Sequence, residues 1–429
     1  MIFRDELKSV LEKSRKYGCN KKSSPHRLSS ERQTPVPKPP IPTPLTTPPE
    51  TQATSFFFHH FVPSRSAFSS GSFGYLDTLF QQEKMDGAVA DAIAAVGYVG
   101  LSYFWNDPGL LDVATRKHGA ALRGIRARIG DCEGARRDQT FVGVRILGAY
   151  ETNSLASDAS MEAWMNHTFG ASALMKFRGV ERLEDPLGRE IFIQHRAQIV
   201  ANCLQRNVPV PLYISEWNAA LDEPPVDAAA TQVCQLYVKY INLISSDAVT
   251  SAELHALDAE CVVWERTCPP EFRYQTVTLS QPCEEVFQNH YDVYPTLLIA
   301  VIWNHHRTLR LLIHRRLLTI PTSTIPSCHH THTLTAAICA SVPPFLHSTP
   351  ATPLRTCNIT NLLWPLYHAG LEDVSAEQQA WIRGRMRWIA DVLARRQGTP
   401  LVSHLRTKVG GGCGLERWVG EVEGVRWWG

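Results

Sequence analysis

The sequence predicts an all-α fold, with about ten helices packed into one large body. Apolar residues recur three and four residues apart along most of the chain, whereas the alternating pattern of a β-strand bounded by turn residues is rare. Of the 429 residues, 44% are hydrophobic and 20% are charged, a balance typical of globular proteins rather than of disordered chains. A chain of this length can bury a sizeable core without disulfides or a metal ion.

The first 55 residues differ in composition from the rest. Residues 1–17 place Phe3, Leu7, Val10 and Leu11 at helical spacing among charged residues, which predicts a basic helix. Residues 18–55 are predicted to be a Pro/Thr-rich disordered linker, because the eight prolines within residues 33–49 remove amide donors and favour polyproline II. This basic segment could contact a phosphate backbone, act as a nuclear-import signal, or simply be solvated.

The helical body is expected over residues 56–402. Residues 88–103 form an Ala-rich segment that predicts a buried core helix rather than a membrane span, because a charge and two glycines interrupt it. Asp107-Pro108 then signals the start of the next helix. One face of that helix carries Leu110, Leu111, Ala114, His118 and Ala121.

Six further helices complete the predicted body. They cover residues 141–150, 160–177, 189–204, 228–245, 297–318 and 375–396. In the helix over 297–318, apolar residues mark one face, and the opposite face is expected to hold Arg307, Arg310 and His314. In the last helix, Arg383, Arg387 and Arg395 are likewise expected on the wetter side, opposite Ile382, Met386, Ile389 and Leu393.

Two stretches have no useful periodicity. Residues 319–335 are rich in Thr, Pro, Ser and His, and they lie in a span (317–354) without any Asp, Glu, Lys or Arg. Residues 403–429 carry a triple glycine and a pair of tryptophans. We expect a low-complexity insertion in the first stretch and a loose C-terminal tail in the second. Retained intron sequence is an alternative explanation.

Several protein classes are disfavoured. The eleven cysteines form no C-x-x-C pair, which predicts reduced thiols rather than a secreted disulfide framework. The first residues lack the apolar segment of a signal peptide. No nucleophile elbow, P-loop, H-E-x-x-H or dinucleotide fingerprint is present, so an enzyme is not expected. The net charge of +2 gives no global basic field for nucleic-acid binding.

The candidate site residues are few. Four donor side chains fall within five residues at Cys328, His329, His330 and His332, but structural zinc sites usually draw their ligands from two separated pairs. His305, His306 and His314 are predicted to be solvated or capping. A pocket could be lined by Trp164, Phe169, Trp217 and Trp303, although core packing is the favoured interpretation. We therefore predict no catalytic, cofactor-binding or metal-binding residue.

Short motifs follow one another along residues 1–17 and 55–400 in a distinctive order. They are Ile2-Phe-Arg-Asp-Glu6, Phe56-Phe-Phe-His-His-Phe-Val62, Gly74-Tyr-Leu-Asp77, Phe177-Arg178-Gly179, Asp185-Pro-Leu-Gly-Arg189, Cys203-Leu-Gln-Arg206, Val208-Pro-Val-Pro211, Trp303-Asn304, Ile338-Cys-Ala-Ser-Val-Pro343, Leu362-Leu-Trp-Pro-Leu366 and Trp381-Ile-Arg-Gly-Arg385. Taken together, this series resembles the fungal-specific transcription factor domain, the regulatory region of fungal zinc binuclear cluster transcription factors. The densest part of the series lies between residues 167 and 211.

The resemblance implies a nuclear role in transcription regulation through a helical regulatory domain. It implies as partners a second copy, related factors in heterodimers, transcriptional co-regulators or a small-molecule effector. Family members read DNA through a module in which six cysteines, including two C-x-x-C pairs, hold two zinc ions. This chain has no such pair, so we expect no cofactor in it and no direct sequence-specific DNA binding. No membrane association is expected either.

Two alternatives stay open. The first is a stand-alone helical interaction protein that dimerises with related factors or titrates them. The second is an enzyme with an unrecognised helical site, which would need convergent, pKa-shifted acids or histidines in a pocket.

Overall fold

The computed structural model describes residues 47–62, 73–154, 158–246, 248–321, 328–346 and 359–397. Over these ranges the all-α prediction is confirmed, and eleven of the described helices have 13 residues or more. The predicted basic helix (1–17), most of the predicted linker and the tail (403–429) lie outside the described residues.

Eight helices make up the first part of the described chain. They are α1 (Pro49–Phe61), α2 (Leu76–Gln82), α3 (Gly87–Phe104), α4 (Gly109–Ile129), α5 (Cys132–Arg136), α6 (Asp138–Ser154), α7 (Asp158–Arg178) and α8 (Pro186–Arg206). Gly179, with φ of 90°, follows the end of α7, because glycine adopts this positive-φ backbone without a Cβ clash.

The second part contains eight more helices and one short hairpin. They are α9 (Leu212–Ala219), α10 (Pro225–Ile244), α11 (Ser251–Thr267), β1 (Gln275–Thr278), β2 (His290–Val293), α12 (Leu297–Leu318), α13 (Cys328–Ala340), α14 (Pro343–Leu346), α15 (Leu363–Gly370) and α16 (Ala376–Gln397). The two strands pair antiparallel, with Gln275 opposite Val293 and Thr278 opposite His290. The sequence analysis identified neither α11 nor this hairpin.

Two buried helices organise the packing. In the first part, α3 packs against α1, α4, α6 and α16. In the second part, α12 packs against α10, α11, α13 and α15. Between them, α8 contacts α7 on one side and α10 on the other. Helix α3 is long and apolar enough to cross a membrane by length and composition, and 72% of that stretch is buried inside the protein. This burial agrees with the predicted core helix.

The predicted linker ends earlier than expected. Helix α1 begins at Pro49, although residues up to 55 were expected to be disordered and the body was expected to begin at residue 56. A proline in the first helical turn costs nothing, because its missing amide would have no partner there anyway. Ala53 and Phe57 then bury the helix against the core.

The predicted low-complexity insertion is helical in its second half. Residues 328–335 open α13, so a loop over the whole of 319–335 is wrong. The helix is held by tertiary packing, since Leu334, Thr335 and Ile338 are buried. Side-chain periodicity is weak here because the exposed positions carry Thr and His instead of charges.

The polar face predicted for α12 is also wrong. Arg307, Arg310 and His314 are buried, as are His305 and His306, so none of these side chains lies on a solvated face. Helices α10, α11, α13 and α15 pack against α12, and its polar side chains find partners on these helices and on the β-hairpin. Arg310, for example, donates to both carboxylate oxygens of Asp258 on α11, at 2.8 and 3.2 Å. In α16 the expectation holds for Arg383 and Arg387, which are exposed while Ile382, Met386 and Ile389 are buried. The side chains of Leu393 and Arg395 lie outside the described residues.

Candidate functional site

An apolar groove of about 680 Å³ lies between α4, α6 and α7, with α5 at one side. Its walls are lined by Leu122, Ile125, Arg126, Ile129, Ala135, Val144, Leu147, Asn166, His167, Gly170, Ala173, Leu174 and Phe177. Leu122, Ile129 and Phe177 are large apolar side chains with 37–44% of their surface exposed. The groove therefore presents apolar surface to the outside, where an apolar molecule could bind. We refer to these residues as the apolar groove.

The spacing of residues along three helices forms the groove. On α4, Leu122, Ile125 and Ile129 recur at intervals of three and four, and Gly170, Ala173 and Phe177 do the same on α7. Gly170 keeps the groove open at its α7 side. A Cβ added at this glycine would have no neighbouring atom within 4 Å.

Three polar side chains meet one helical turn beyond the apolar groove. His118 lies one turn before Leu122 on α4, Glu151 lies one turn after Leu147 on α6, and His167 itself lines the groove. One donor atom from each of His118, Glu151 and His167 falls within 4.8 Å of the other two. We call these three residues the His–Glu–His cluster.

Close packing positions the cluster. At Gly148 of α6, an added Cβ would stand 3.2 Å from the Cβ of His167, so a small residue lets α7 approach α6 at this level. The imidazole of His118 stacks on the ring of Tyr150, with centroids 3.9 Å apart and planes 10° apart. Thr115 and Tyr150 share a hydrogen bond between their hydroxyls at 3.2 Å, which fixes the stack in turn.

Burial changes the protonation of the cluster. It lowers the pKa of His118 to about 4, with a smaller contribution from His167 nearby. Burial also lowers the pKa of His167 and raises the pKa of Glu151. His118 Nε2 and Glu151 Oε1 lie 3.4 Å apart, but with a pKa of about 4 His118 is neutral at neutral pH, so the two groups do not form an ion pair there. Neutral imidazoles keep a free nitrogen lone pair for a ligand.

The aromatic residues proposed from the sequence to line a pocket do not come together. Trp217 packs on Phe192 with centroids 5.3 Å apart, and Trp303 donates from its indole nitrogen to the carbonyl of Phe272 at 2.8 Å. Trp164 is buried and Phe169 lies under the guanidinium of Arg206. None of the four lines the apolar groove. Trp217 and Trp303 belong to the core, as the core-packing interpretation expects, whereas Phe169 is only half-buried.

The three histidines of the donor-rich segment at the start of α13 have separate surroundings, and the side chain of Cys328 lies outside the described residues. His332 donates from Nε2 to the carbonyl of Asp373 at 2.8 Å, and the rings of His329 and His330 are 6.4 Å apart. His330 instead lines a second, polar cavity of about 530 Å³ together with Glu265, Arg266, Arg273 and Arg310. Among the described residues, the metal-compatible group of three donors is the His–Glu–His cluster.

The described cysteines are unpaired thiols, as predicted. Cys203, Cys261 and Cys339 are buried, and Cys132 and Cys283 are exposed. Burial raises the pKa of Cys203 to about 11 and that of Cys339 to about 12. Such thiols stay protonated and unreactive at neutral pH.

Sequence reasoning missed the apolar groove and its cluster. His118 was placed on the apolar face of its helix, and that placement was the one available signal, since a histidine in an apolar stripe needs a polar partner. The partners lie 33 and 49 residues further along the chain, at Glu151 and His167. No spacing rule connects residues on three separate helices.

Comparison with known proteins gives one distant relative. An uncharacterized protein of Emericella nidulans is 24% identical over 150 residues, a region that covers 35% of this chain and 32% of the relative. The match thus spans about a third of the length of that relative. No family model matches the chain, and no solved structure matches it.

Proposed function

We propose that this chain is the regulatory domain of a fungal zinc-cluster-type transcription factor and that it binds a small apolar effector in the apolar groove. The observation that carries the effector-binding half is the groove itself. Its volume of about 680 Å³ falls in the range of small-molecule sites, and its walls are mostly apolar with a few convergent polar groups.

The transcription half rests on the ordered motifs that resemble the fungal-specific transcription factor domain. The all-α architecture is what such a regulatory domain requires. The motif at Phe177-Arg178-Gly179 ends the helix that forms one wall of the apolar groove, and the motif at Asp185–Arg189 starts α8 directly afterwards. The densest part of the resemblance is therefore next to the proposed effector site.

The chemistry of the groove defines the effector. Leucine, isoleucine and phenylalanine side chains favour an apolar body, while Arg126 at the exposed edge favours an anionic group. We expect an apolar molecule with one acidic group. Its binding would cover Leu122, Ile129 and Phe177 and so reduce the exposed apolar surface.

The binding half is tested with the anionic apolar dye 1-anilinonaphthalene-8-sulfonate. We expect saturable fluorescence enhancement at one site in the full chain, weakened at least tenfold by Ala173→Trp, which fills the groove from an exposed position. Ala256→Trp, at an exposed alanine on α11, is the matched control and should bind dye like the wild type. Equal binding by both variants would contradict the effector site.

The transcription half is tested by fusing the full chain to a heterologous DNA-binding domain and measuring a reporter. We expect reporter output to differ from that of the DNA-binding domain alone, and Ala173→Trp to change the size of that difference. Output equal to the DNA-binding domain alone, with the fusion expressed and nuclear, would contradict the regulatory role.

A further inference from the structure

We propose that His118, Glu151 and His167 form a binding site for a divalent transition-metal ion such as Zn²⁺. The proposal concerns this chain's own residues and stands apart from the effector proposal. Two imidazoles and one carboxylate are a ligand set that zinc accepts in proteins.

The distances fit one ion. Donors held at about 2.1 Å from a tetrahedral zinc lie roughly 3.4 Å from one another. His118 Nε2 and Glu151 Oε1 are 3.4 Å apart, so these two could bind one ion without moving. The His167 donor is within 4.8 Å of both, so its side chain has to come closer to complete the site.

A second observation points to a ligand. His118 Nε2 is buried and makes no hydrogen bond within the described part of the chain, although it faces Glu151. A buried polar atom without a partner costs free energy, which a bound ligand would recover. A bound ion would satisfy this nitrogen, and binding would release any proton held by Glu151.

The surroundings hold one ligand, His118, in place before the ion arrives. The ring of His118 is held by its stack on Tyr150, and α4, α6 and α7 each supply one ligand from a regular helix. Three protein ligands leave a position for an outside group, the pattern of metal sites that exchange ligands. Because His167 also lines the apolar groove, that group could come from the groove.

Metal titration of the full chain tests the proposal with Zn²⁺ and Co²⁺ alone. We expect the wild type to bind one more equivalent of metal than the His118→Phe variant. This substitution keeps the aromatic stack on Tyr150 but removes both ring nitrogens. His167→Ala should show the same loss. Zn²⁺ should raise the unfolding temperature of the wild type and leave that of both variants unchanged.

Two controls make the outcome decisive. The double variant His329→Ala/His330→Ala changes two exposed histidines elsewhere in the protein. It should still bind the additional equivalent of metal. The visible spectrum of the Co²⁺ form should show nitrogen and oxygen ligation without thiolate charge-transfer bands. Circular dichroism of each variant confirms folding.

Metal stoichiometry and affinity that are unchanged in folded His118→Phe and His167→Ala, or a thiolate spectrum that survives in them, would overturn the proposal. Neither result bears on dye binding in the apolar groove.

Discussion

Arg307 on α12 and Asp292 on β2 form an ion pair in the interior, with Nη2 and Oδ2 3.4 Å apart and each side chain only 3% exposed. Asp292 also accepts hydrogen bonds from the hydroxyls of Tyr294, at 3.0 Å, and Thr276, at 2.7 Å. Arg307 donates in addition to the carbonyl of Ala337 at 3.0 Å. This network joins the β-hairpin and α13 to the central helix α12.

Removing the charge of Asp292 should be strongly destabilising. Asp292→Asn keeps the shape of the side chain but leaves the Arg307 guanidinium buried without a counter-charge, a loss of about 3–5 kcal/mol in the free energy of unfolding. Urea unfolding followed by circular dichroism measures it. The matched control is Glu260→Gln, which breaks the exposed Lys239–Glu260 pair and should cost no more than about 1 kcal/mol. Equal costs for the two variants would show that the buried charge is dispensable.

Acid should destabilise the protein through its buried histidines. Burial lowers the pKa of His305 and of His306 to about 3, whereas the unfolded value is about 6.5. Their contribution to the free energy of unfolding is therefore complete above pH 6.5. It is lost as the pH falls towards 3, because the unfolded chain takes up protons that the folded chain excludes. Each histidine contributes a slope of up to about 1.4 kcal/mol per pH unit in this window.

Urea unfolding at pH 7 and at pH 5 measures this dependence. Asp258 adds to this acid destabilisation at still lower pH. Burial alone would raise the pKa of Asp258, but hydrogen bonds from His314 and Arg310 outweigh burial and lower this pKa. His305→Gln should make the pH dependence shallower, and His255→Gln, at an exposed position, should not. A free energy of unfolding that is the same at both pH values would contradict the prediction.

Two helical glycines should respond oppositely to the same substitution. At Gly97 on α3, an added Cβ would stand 1.9 Å from the carbonyl oxygen of Ala53, so α1 must move away and Gly97→Ala should cost about 1–3 kcal/mol. At Gly170 on α7 the same position has no neighbour within 4 Å. Gly170→Ala should therefore stabilise the helix by about 0.5–1 kcal/mol.

Thermal unfolding of the two glycine variants shows whether each substitution raises or lowers the unfolding temperature. Gly384→Ala, on α16 and also without a neighbour within 4 Å, is a second position where stabilisation is expected. Shifts of the unfolding temperature in the same direction for Gly97→Ala and Gly170→Ala would contradict the packing described for α1 and α3.

The chain alone should bind duplex DNA weakly and without sequence preference. Its excess of positive charge lies within residues 4–38, and contacts with phosphates weaken as salt rises because the displaced counterions return. Lys21→Glu/Lys22→Glu should weaken this binding further, whereas Arg383→Glu, on the exposed face of α16, should have a smaller effect. Fluorescence anisotropy over a salt series measures it, and nanomolar, sequence-selective binding at physiological salt would contradict the prediction.

Most of the helices could be predicted because helical periodicity is a local property. The boundaries predicted for α12 agree with the structure, and those of α3, α7 and α16 differ by one or two residues. Helix α11 was missed although its sequence carries two local helix signals, a capping box at Thr250 and Glu253 and an apolar stripe at Leu254, Leu257, Cys261 and Trp264. Helix α13 was missed in part because its first turns carry exposed Thr and His residues, and its buried positions begin only at Leu334.

By itself, the sequence determined the fold class, the positions of most helices and the absence of paired C-x-x-C cysteines. Only the tertiary structure decided the surroundings of those helices. Arginines on α12 look solvent-facing in isolation, because their counter-charges lie elsewhere in the chain, at Asp258 and Asp292. The His–Glu–His cluster likewise exists only after three helices pack together. A local pattern records which face of a helix is apolar, but not which distant side chain will face its polar groups.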